Sequence, residues 1–560
     1  MQGALALAIV APLIFAFWAG KLVTDPPEAY QPQGAEATVR QLALVMALGR
    51  SLGLALLTTV VAAGFGIPAA WALASARRPL LCLVICALPL ALPASVAVSG
   101  WIRMLAPTAA SSFNLTQAAA IDGSSKATNA PNGANTSAGE PSRVAQNAWR
   151  ELLFSTFGAA LLLSFGLWPL IAFELWPAFR RARNESYDAA VLSGSRTRAF
   201  LKIVLPQCRG ELAAGALLTF LLAISDFSVS SLLLVRTLPI EIHDALMLGK
   251  RATAAWSALP LVALVGLAAL AFSRLSASRH TGGATMQSQS QSQAPAAAAP
   301  AKPAFAVLLA GVALGFAIPM AACASGIRPG PTGWPETFLV SADALGLSVR
   351  LAGAVALLSA LVGIARLLSW PDARTRPLNA AGLFLLAIPG SFLAAAIFTL
   401  QLSAEDFAAG MEWDRLAALI PAASLGLALL ARFIYVPLRL IDEGIAALDS
   451  ELLDVAALSG HGRLSTGVSI VLPLLLPHLA AATALVFILA LGEIPLADRL
   501  SPPGAMTAMV WLFGQQHMAY DAKVFALSFL MGAVSGGMLL LAGGAAVVLQ
   551  RLLHLTGVRG

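Results

Sequence analysis

Roughly twelve stretches of about twenty apolar residues divide this chain of 560 residues. They lie near 3–20, 43–70, 80–104, 152–176, 211–235, 255–273, 304–323, 343–369, 380–402, 415–436, 478–497 and 524–550. Wound as a helix, each is long enough to cross the hydrocarbon core of a bilayer. Only 11% of the residues are charged, about half the share of a soluble protein. The expected fold class is therefore all-α and polytopic, with about 12 transmembrane helices. Pro89, Pro93 and Pro389 fall inside apolar runs, where they predict kinks. Met1 to Gly20 is apolar but lacks a charged leading region, so it reads as an uncleaved first span.

Two polar stretches interrupt this pattern at matching places. ESYDAAVLSGSRTRAFLKIVLP runs from Glu185 to Pro206, and ELLDVAALSGHGRLSTGVSIVLP runs from Glu451 to Pro473. Each reads as a helix, a glycine turn and a second helix. Glu185 and Asp188, like Glu451 and Asp454, suit the positive end of a helix dipole. Ala189 and Ala190 in the first copy, and Ala456 and Ala457 in the second, favour helix and leave room for another surface to approach. Gly194 and Gly460 permit the turn. Leu205-Pro206 and Leu472-Pro473 close each stretch.

This pattern resembles the "EAA" loop of permease subunits in binding-protein-dependent ABC importers. The first copy has Asp188 in place of the usual Glu; the second departs further, with Asp454-Val455-Ala456 and one additional residue before Ile470. Two loops on one polypeptide are similar to the fused permeases of iron(III) and thiamine importers. The resemblance implies the type I permease fold, in which each loop forms a coupling helix docked on a separate ATP-hydrolysing subunit. It also implies a periplasmic substrate-binding protein as partner and a bacterial inner membrane as the location.

Internal repetition extends beyond the loops. Leu48-Gly49-Arg50-Ser51 matches Leu345-Gly346-Leu347-Ser348, and Pro93-Ala94-Ser95 matches Pro389-Gly390-Ser391. The first match is offset by 297 positions, whereas the loop glycines are offset by 266. The first half thus carries about 30 additional residues. The Ala-, Ser-, Asn- and Gly-rich segment 106–147 is the expected insertion, a disordered outer loop. Residues 276–303, with Gln-Ser repeats and an Ala-Pro run, read as a disordered cytoplasmic linker. The expected organisation is a first repeat over 1–275 and a second over 304–560, two parallel six-helix units related by an axis along the membrane normal. Lys and Arg concentrate on the side that holds both loops, including Arg180, Arg181, Arg196, Arg198, Lys202 and Arg463. That side, with both termini, is expected to be cytoplasmic. The net charge of +7 follows from this bias and calls for no nucleic acid.

Asp226 lies twenty positions after Pro206, and Glu493 twenty after Pro473. A carboxylate within an apolar segment faces a cavity or a partner. Two arrangements fit. The pair faces one another near an outer gate, where carboxylates would suit a hard cation such as iron(III). Alternatively, each bonds nearby backbone at a helix end or caps a short re-entrant turn. Segments 239–253 and 502–521 read as outer helices over the pathway. Glu405, Asp406, Glu412 and Asp414 form an acidic outer cluster, read as a solvated loop or a docking point for a binding protein.

Cys82, Cys86, Cys208 and Cys323 form no Cys-x-x-Cys pair, and the six histidines show no metal-ligand spacing. A phosphate-binding Gly-x4-Gly-Lys-Ser/Thr loop is missing from the sequence, as is a nucleophile–His–acid constellation. The expectation is a permease that is not itself an enzyme, needs no cofactor or metal, and works by alternating access with ATP hydrolysed in partner subunits, two of them for two loops. Iron(III) leads the substrate classes, with thiamine, polyamines and oxyanions open. The rival is a secondary transporter with two six-helix repeats.

Overall fold

The computed structural model describes residues 35–105, 151–182, 196–283, 302–327, 334–369 and 376–555, apart from 77, 412, 414, 416–418, 449, 461, 503 and 519–521. The expected span 3–20, the insertion 106–147 and most of the first polar loop lie outside these residues. Among the described residues the chain is entirely helical, with no strand. Among these residues nine helices are long and apolar enough to cross a membrane, and up to eleven if each of two bent pairs is one span. The protein is a multi-pass membrane protein by this measure.

The first half contains α1 (Ala35–Ala74), α2 (Pro79–Ala91), α3 (Ala94–Leu105), α4 (Thr156–Ala182), α5 (196–207) and α6 (Arg209–Ile224). Short helices α7 (Ser228–Leu232) and α8 (Leu238–Met247) follow, then α9 (Arg251–Gly283). Helix α9 runs eight residues into the expected linker before the described residues end. The second half contains α10 (Lys302–Gly326), α11 (Trp334–Leu368), α12 (Arg376–Ala387), α13 (Gly390–Gly410) and α14 (Ile420–Ala446). After them come α15 (Ser450–Leu458), α16 (Arg463–Leu491), α17 (Pro495–Leu500), α18 (Ala508–Met518) and α19 (Ala522–Leu555).

Prolines set the breaks. Leu92 is extended (φ −85°, ψ 116°), the conformation that a following proline imposes, and α2 and α3 meet there at 78°. Pro389 separates α12 from α13 at the matching place. Three π-helical turns, Phe200–Val204, Ala313–Ala317 and Gly467–Val471, each end two positions before a proline. There the N–H of Leu205, Ile318 or Leu472 reaches back five residues, to Phe200, Ala313 or Gly467. The wider turn moves aside the carbonyl that the next proline ring would strike. Beyond Pro206 the chain bends by 69° between α5 and α6, whereas α16 continues through Pro473 as one helix. The expected span 478–497 accordingly begins at Arg463 and stops at Leu491, and the expected span 211–235 stops at Ile224.

Long apolar side chains face outward as well as inward. Val60 is 69% exposed, Leu267 68% and Leu541 73%, each on a candidate span. A helix that is apolar all round is at home in lipid. Inside, one apolar cluster joins both halves, from Leu218, Phe227 and Leu238 to Phe392, Val486 and Leu527. The halves interlock: α9 packs on α12, α19 packs on α2 and α3, and α10 lies against α1, α3 and α4. Helix α10 approaches so closely that a β-carbon at Gly100 of α3 would fall 2.4 Å from the Pro319 carbonyl oxygen. Small residues at such crossings let backbones meet without a side chain between them.

One hydrogen bond recurs in both halves. The Leu238 N–H, at the start of α8, donates to Ser51 Oγ of α1 at 2.8 Å. The Ala508 N–H, at the start of α18, donates to Ser348 Oγ of α11 at 2.8 Å. Ser51 and Ser348 are the serines of the repeated Leu-Gly-x-Ser, so the repeat specifies how a later short helix is fastened to an earlier span. Both hydroxyls are buried, so their loss leaves a buried donor unsatisfied, at a cost of about 1–3 kcal/mol. Ser51→Ala should accelerate hydrogen exchange at the first turn of α8 and leave that of α18 unchanged. Ser348→Ala should do the reverse.

Candidate functional site

The chain leaves α6 at Ile224 and α16 at Leu491, and in both halves a carboxylate stands two residues later. Asp226 Oδ2 accepts the N–H groups of Val229 and Ser230, each at 3.1 Å, and the Ser230 hydroxyl at 3.3 Å. Asp226 thus caps α7, as a carboxylate suits a helix start. Glu493 accepts the Leu496 N–H at the start of α17 and forms an ion pair with Arg432 of α14, Nε to Oε2 at 3.3 Å. Of the two arrangements open from the sequence, the hydrogen bonding is that of helix-end caps, with each carboxylate bonded within its own half.

The halves differ here in one respect. Arg432 Nη1 also donates to the Ile388 carbonyl at 2.9 Å. That carbonyl is freed by the proline break, because the Phe392 N–H bonds Pro389 instead. Gly390 makes the arrangement possible: a β-carbon there would lie 2.8 Å from Glu493 Oε1 and 3.3 Å from Arg432 Nη1. By the offsets of the repeat, the first half has Ala94 at the place of Gly390 and Gly166 at that of Arg432. The ion pair therefore belongs to the second half only.

Beside these helix ends, aromatic and imidazole rings from both halves meet. The Phe227 ring lies 4.6 Å from that of His243 on α8 and 5.5 Å from that of Phe513 on α18, centroid to centroid. His517 Nε2 and Ser231 Oγ are 3.3 Å apart. Gln516 Nε2 donates to the Ser95 carbonyl and to Ser99 Oγ of α3. The short helices of 239–253 and 502–521 thus contact the opposite half as well as their own. Among the described residues, no group of three or more His, Cys, Asp or Glu side chains could hold a metal ion.

At the other end, the second polar loop is formed. Glu451 and Asp454 are exposed on α15, Ala456 is buried, and Gly460 has φ +79°, a turn that favours glycine. Val455 (61% exposed) and Leu458 (88%) stand one helical turn apart on α15, and Leu464 follows at 66%. Leu472 and Pro473 lie at the foot of α16, partly buried, after the π-turn; Leu205 and Pro206 occupy the same place in α5. Glu185, Asp188, Ala189, Ala190 and Gly194 lie outside the described residues, as does the Ala457 side chain. The acidic outer cluster is described only at Glu405, which accepts a hydrogen bond from Gln401, and at Asp406.

Sequence reasoning passed over a second buried network, nearer the loops. Glu174 of α4 pairs with Arg439 of α14 at 3.3 Å, and Arg439 also pairs with Glu443 at 2.6 Å. Arg366 of α11 pairs with Asp442 at 2.6 Å, and Asn379 of α12 donates to Asp442 at 2.7 Å. Glu174 sits within the apolar run 152–176, and an ionisable residue in such a run is itself a signal. No protein-family model, curated protein or solved structure matches this chain.

The Arg432–Glu493 pair generates a test. Removing one member of a buried pair leaves an uncompensated charge, at a cost of about 3–5 kcal/mol, whereas removing both is far cheaper. Arg432→Met should lower the unfolding temperature in detergent sharply, and Arg432→Met with Glu493→Met should recover most of the loss. Gly390→Ala should act in the same direction as Arg432→Met, but less strongly.

Proposed function

We propose that this chain is the fused permease of an ATP-driven importer, moving a small solute through a bacterial inner membrane by alternating access. The observation that carries this reading is the second polar loop. Helix α15 presents Val455 and Leu458 to solvent from a segment that also bears the exposed Glu451 and Asp454. An apolar pair on a polar loop, beside a left-handed glycine turn, is a surface shaped to dock on another protein. Its partner in this reading is an ATP-hydrolysing subunit, and the first loop docks a second copy.

The repeated features support two parallel units. Both halves place a π-turn before Leu-Pro, a capping carboxylate twenty residues after that proline, and a serine-fastened short helix beyond it. Two such units related by an axis along the membrane normal can rock about it and open to either face. Both termini and both loops lie on the cytoplasmic side in this reading, and a periplasmic binding protein delivers solute to the other. Iron(III) is the first substrate to test, on the resemblance to fused iron permeases. The two carboxylates add little to that choice, because both are engaged as caps. Thiamine, polyamines and oxyanions are its competitors.

The test is reconstitution of the full chain with its candidate ATPase and binding protein in proteoliposomes. Uptake should require ATP and proceed without a proton or sodium gradient; uptake driven by a gradient alone would establish the secondary-transporter alternative. Leu458→Asp should weaken co-purification with the ATPase by about tenfold or more, as expected for a central apolar contact. Undiminished association would remove α15 from the coupling role.

A further inference from the structure

We infer that the Glu174–Arg439 ion pair is the inner gate of the pathway between the halves. This rests on the permease reading and adds to it the residues that close the inner side. The loops align at an offset of 266, so Glu174 of α4 corresponds to Leu440 of α14, one residue from Arg439. In a two-fold arrangement, positions that touch their own counterparts lie on the axis. Glu174 and Arg439 nearly satisfy that condition, so their contact marks where the axis passes. At the outer end Phe227 bridges the halves, its ring touching His243 of its own half and Phe513, the counterpart of His243 at the offset of 270 set by Leu238 and Ala508.

The elements around the pair fit a closure between moving bodies. Helices α4 and α14 make little backbone contact with each other, so the two long side chains span the space between them. Arg439 meets the first half twice, at Glu174 and at the Phe272 ring of α9, 5.9 Å from its centroid. It meets its own half through Glu443. Glu174 lies eight residues before the end of α4, about 12 Å at 1.5 Å per residue, and Arg439 lies seven before the end of α14. Both are therefore in the inner part of the membrane, on the side of the polar loops.

The chemistry suits a gate better than a permanent clamp. Two charges attract strongly when water is excluded, yet each is well solvated once water enters. An apolar plug would be exposed to water when the path opens, whereas this pair exchanges one favourable environment for another. In this closed state, Glu174 and Arg439 side chains are 9% and 14% exposed. Rocking of α4 away from α14 would part them and leave Arg439 paired with Glu443.

The test needs neither ATPase nor substrate, so its outcome is separable from that of the uptake experiment. Leu170, one turn outward from Glu174 on α4, becomes a cysteine reporter in the full chain with Cys82, Cys86, Cys208 and Cys323 replaced. In inside-out vesicles a membrane-impermeant maleimide should label it slowly. Glu174→Ala, which leaves Arg439 its Glu443 partner, should raise the labelling rate by about tenfold, the effect of ~1.4 kcal/mol on a two-state equilibrium. The exchanged pair Glu174→Arg with Arg439→Glu should return the rate toward that of the parent. A rate unchanged in Glu174→Ala, at parental membrane levels, would overturn the assignment. Should that variant fail to insert, Glu174→Gln provides the same readout, and an unchanged rate there would overturn it equally.

Discussion

Every break in these helices is governed by one constraint: a backbone polar group inside lipid must find a partner within the protein. The chain nevertheless places prolines in its apolar runs, each removing a donor. At four of them the structure answers the loss locally. Before Pro206, Pro319 and Pro473 the helix widens into a π-turn and keeps its hydrogen bonds. After Pro389 the orphaned Ile388 carbonyl is taken by Arg432. At the starts of α8 and α18, where no turn precedes to supply acceptors, serines from α1 and α11 accept the first N–H. At α7 and α17 the acceptors are Asp226 and Glu493. These polar residues thus stand where continuous helix fails.

The same answers are given twice, with two departures. Both halves share the π-turn, the capping carboxylate and the serine clamp. Only the second has an arginine at the proline break, and it has a glycine there that admits the ion pair. The first half bends by 69° after its Leu-Pro, whereas the second continues as one helix. The repeat thus diverges at its helix ends.

Contacts between the halves differ in kind from one end of the helices to the other. Toward the short helices they are aromatic and hydrogen-bonded, with Phe227 against Phe513, His517 beside Ser231, and Gln516 donating to Ser95 and Ser99. Toward the polar loops they are ionic, with Glu174 and Arg439. Apolar contact is lost when water enters, whereas charges are hydrated by it. The two ends of one interface therefore differ in how they tolerate water.

The membrane class, the positions of most spans and the repeated motifs could be read from the sequence, because they depend on local quantities: run length, hydropathy and spacing. Gly460 as a turn and Pro93 as a break were legible for the same reason, since both follow from what a single residue does to its own backbone. The partners of charged residues were not. Asp226 and Glu493 could be picked out as carboxylates among apolar residues, but whether they faced each other or the next helix start depended on where the chain turned. Glu174 and Arg439 stand 265 positions apart, and no local property of either names the other. Ser51 and Ser348 were visible as a repeat, yet their role required α8 and α18 to fold back onto earlier spans. Such pairings are set by helix packing across the chain, so only the tertiary structure could decide them.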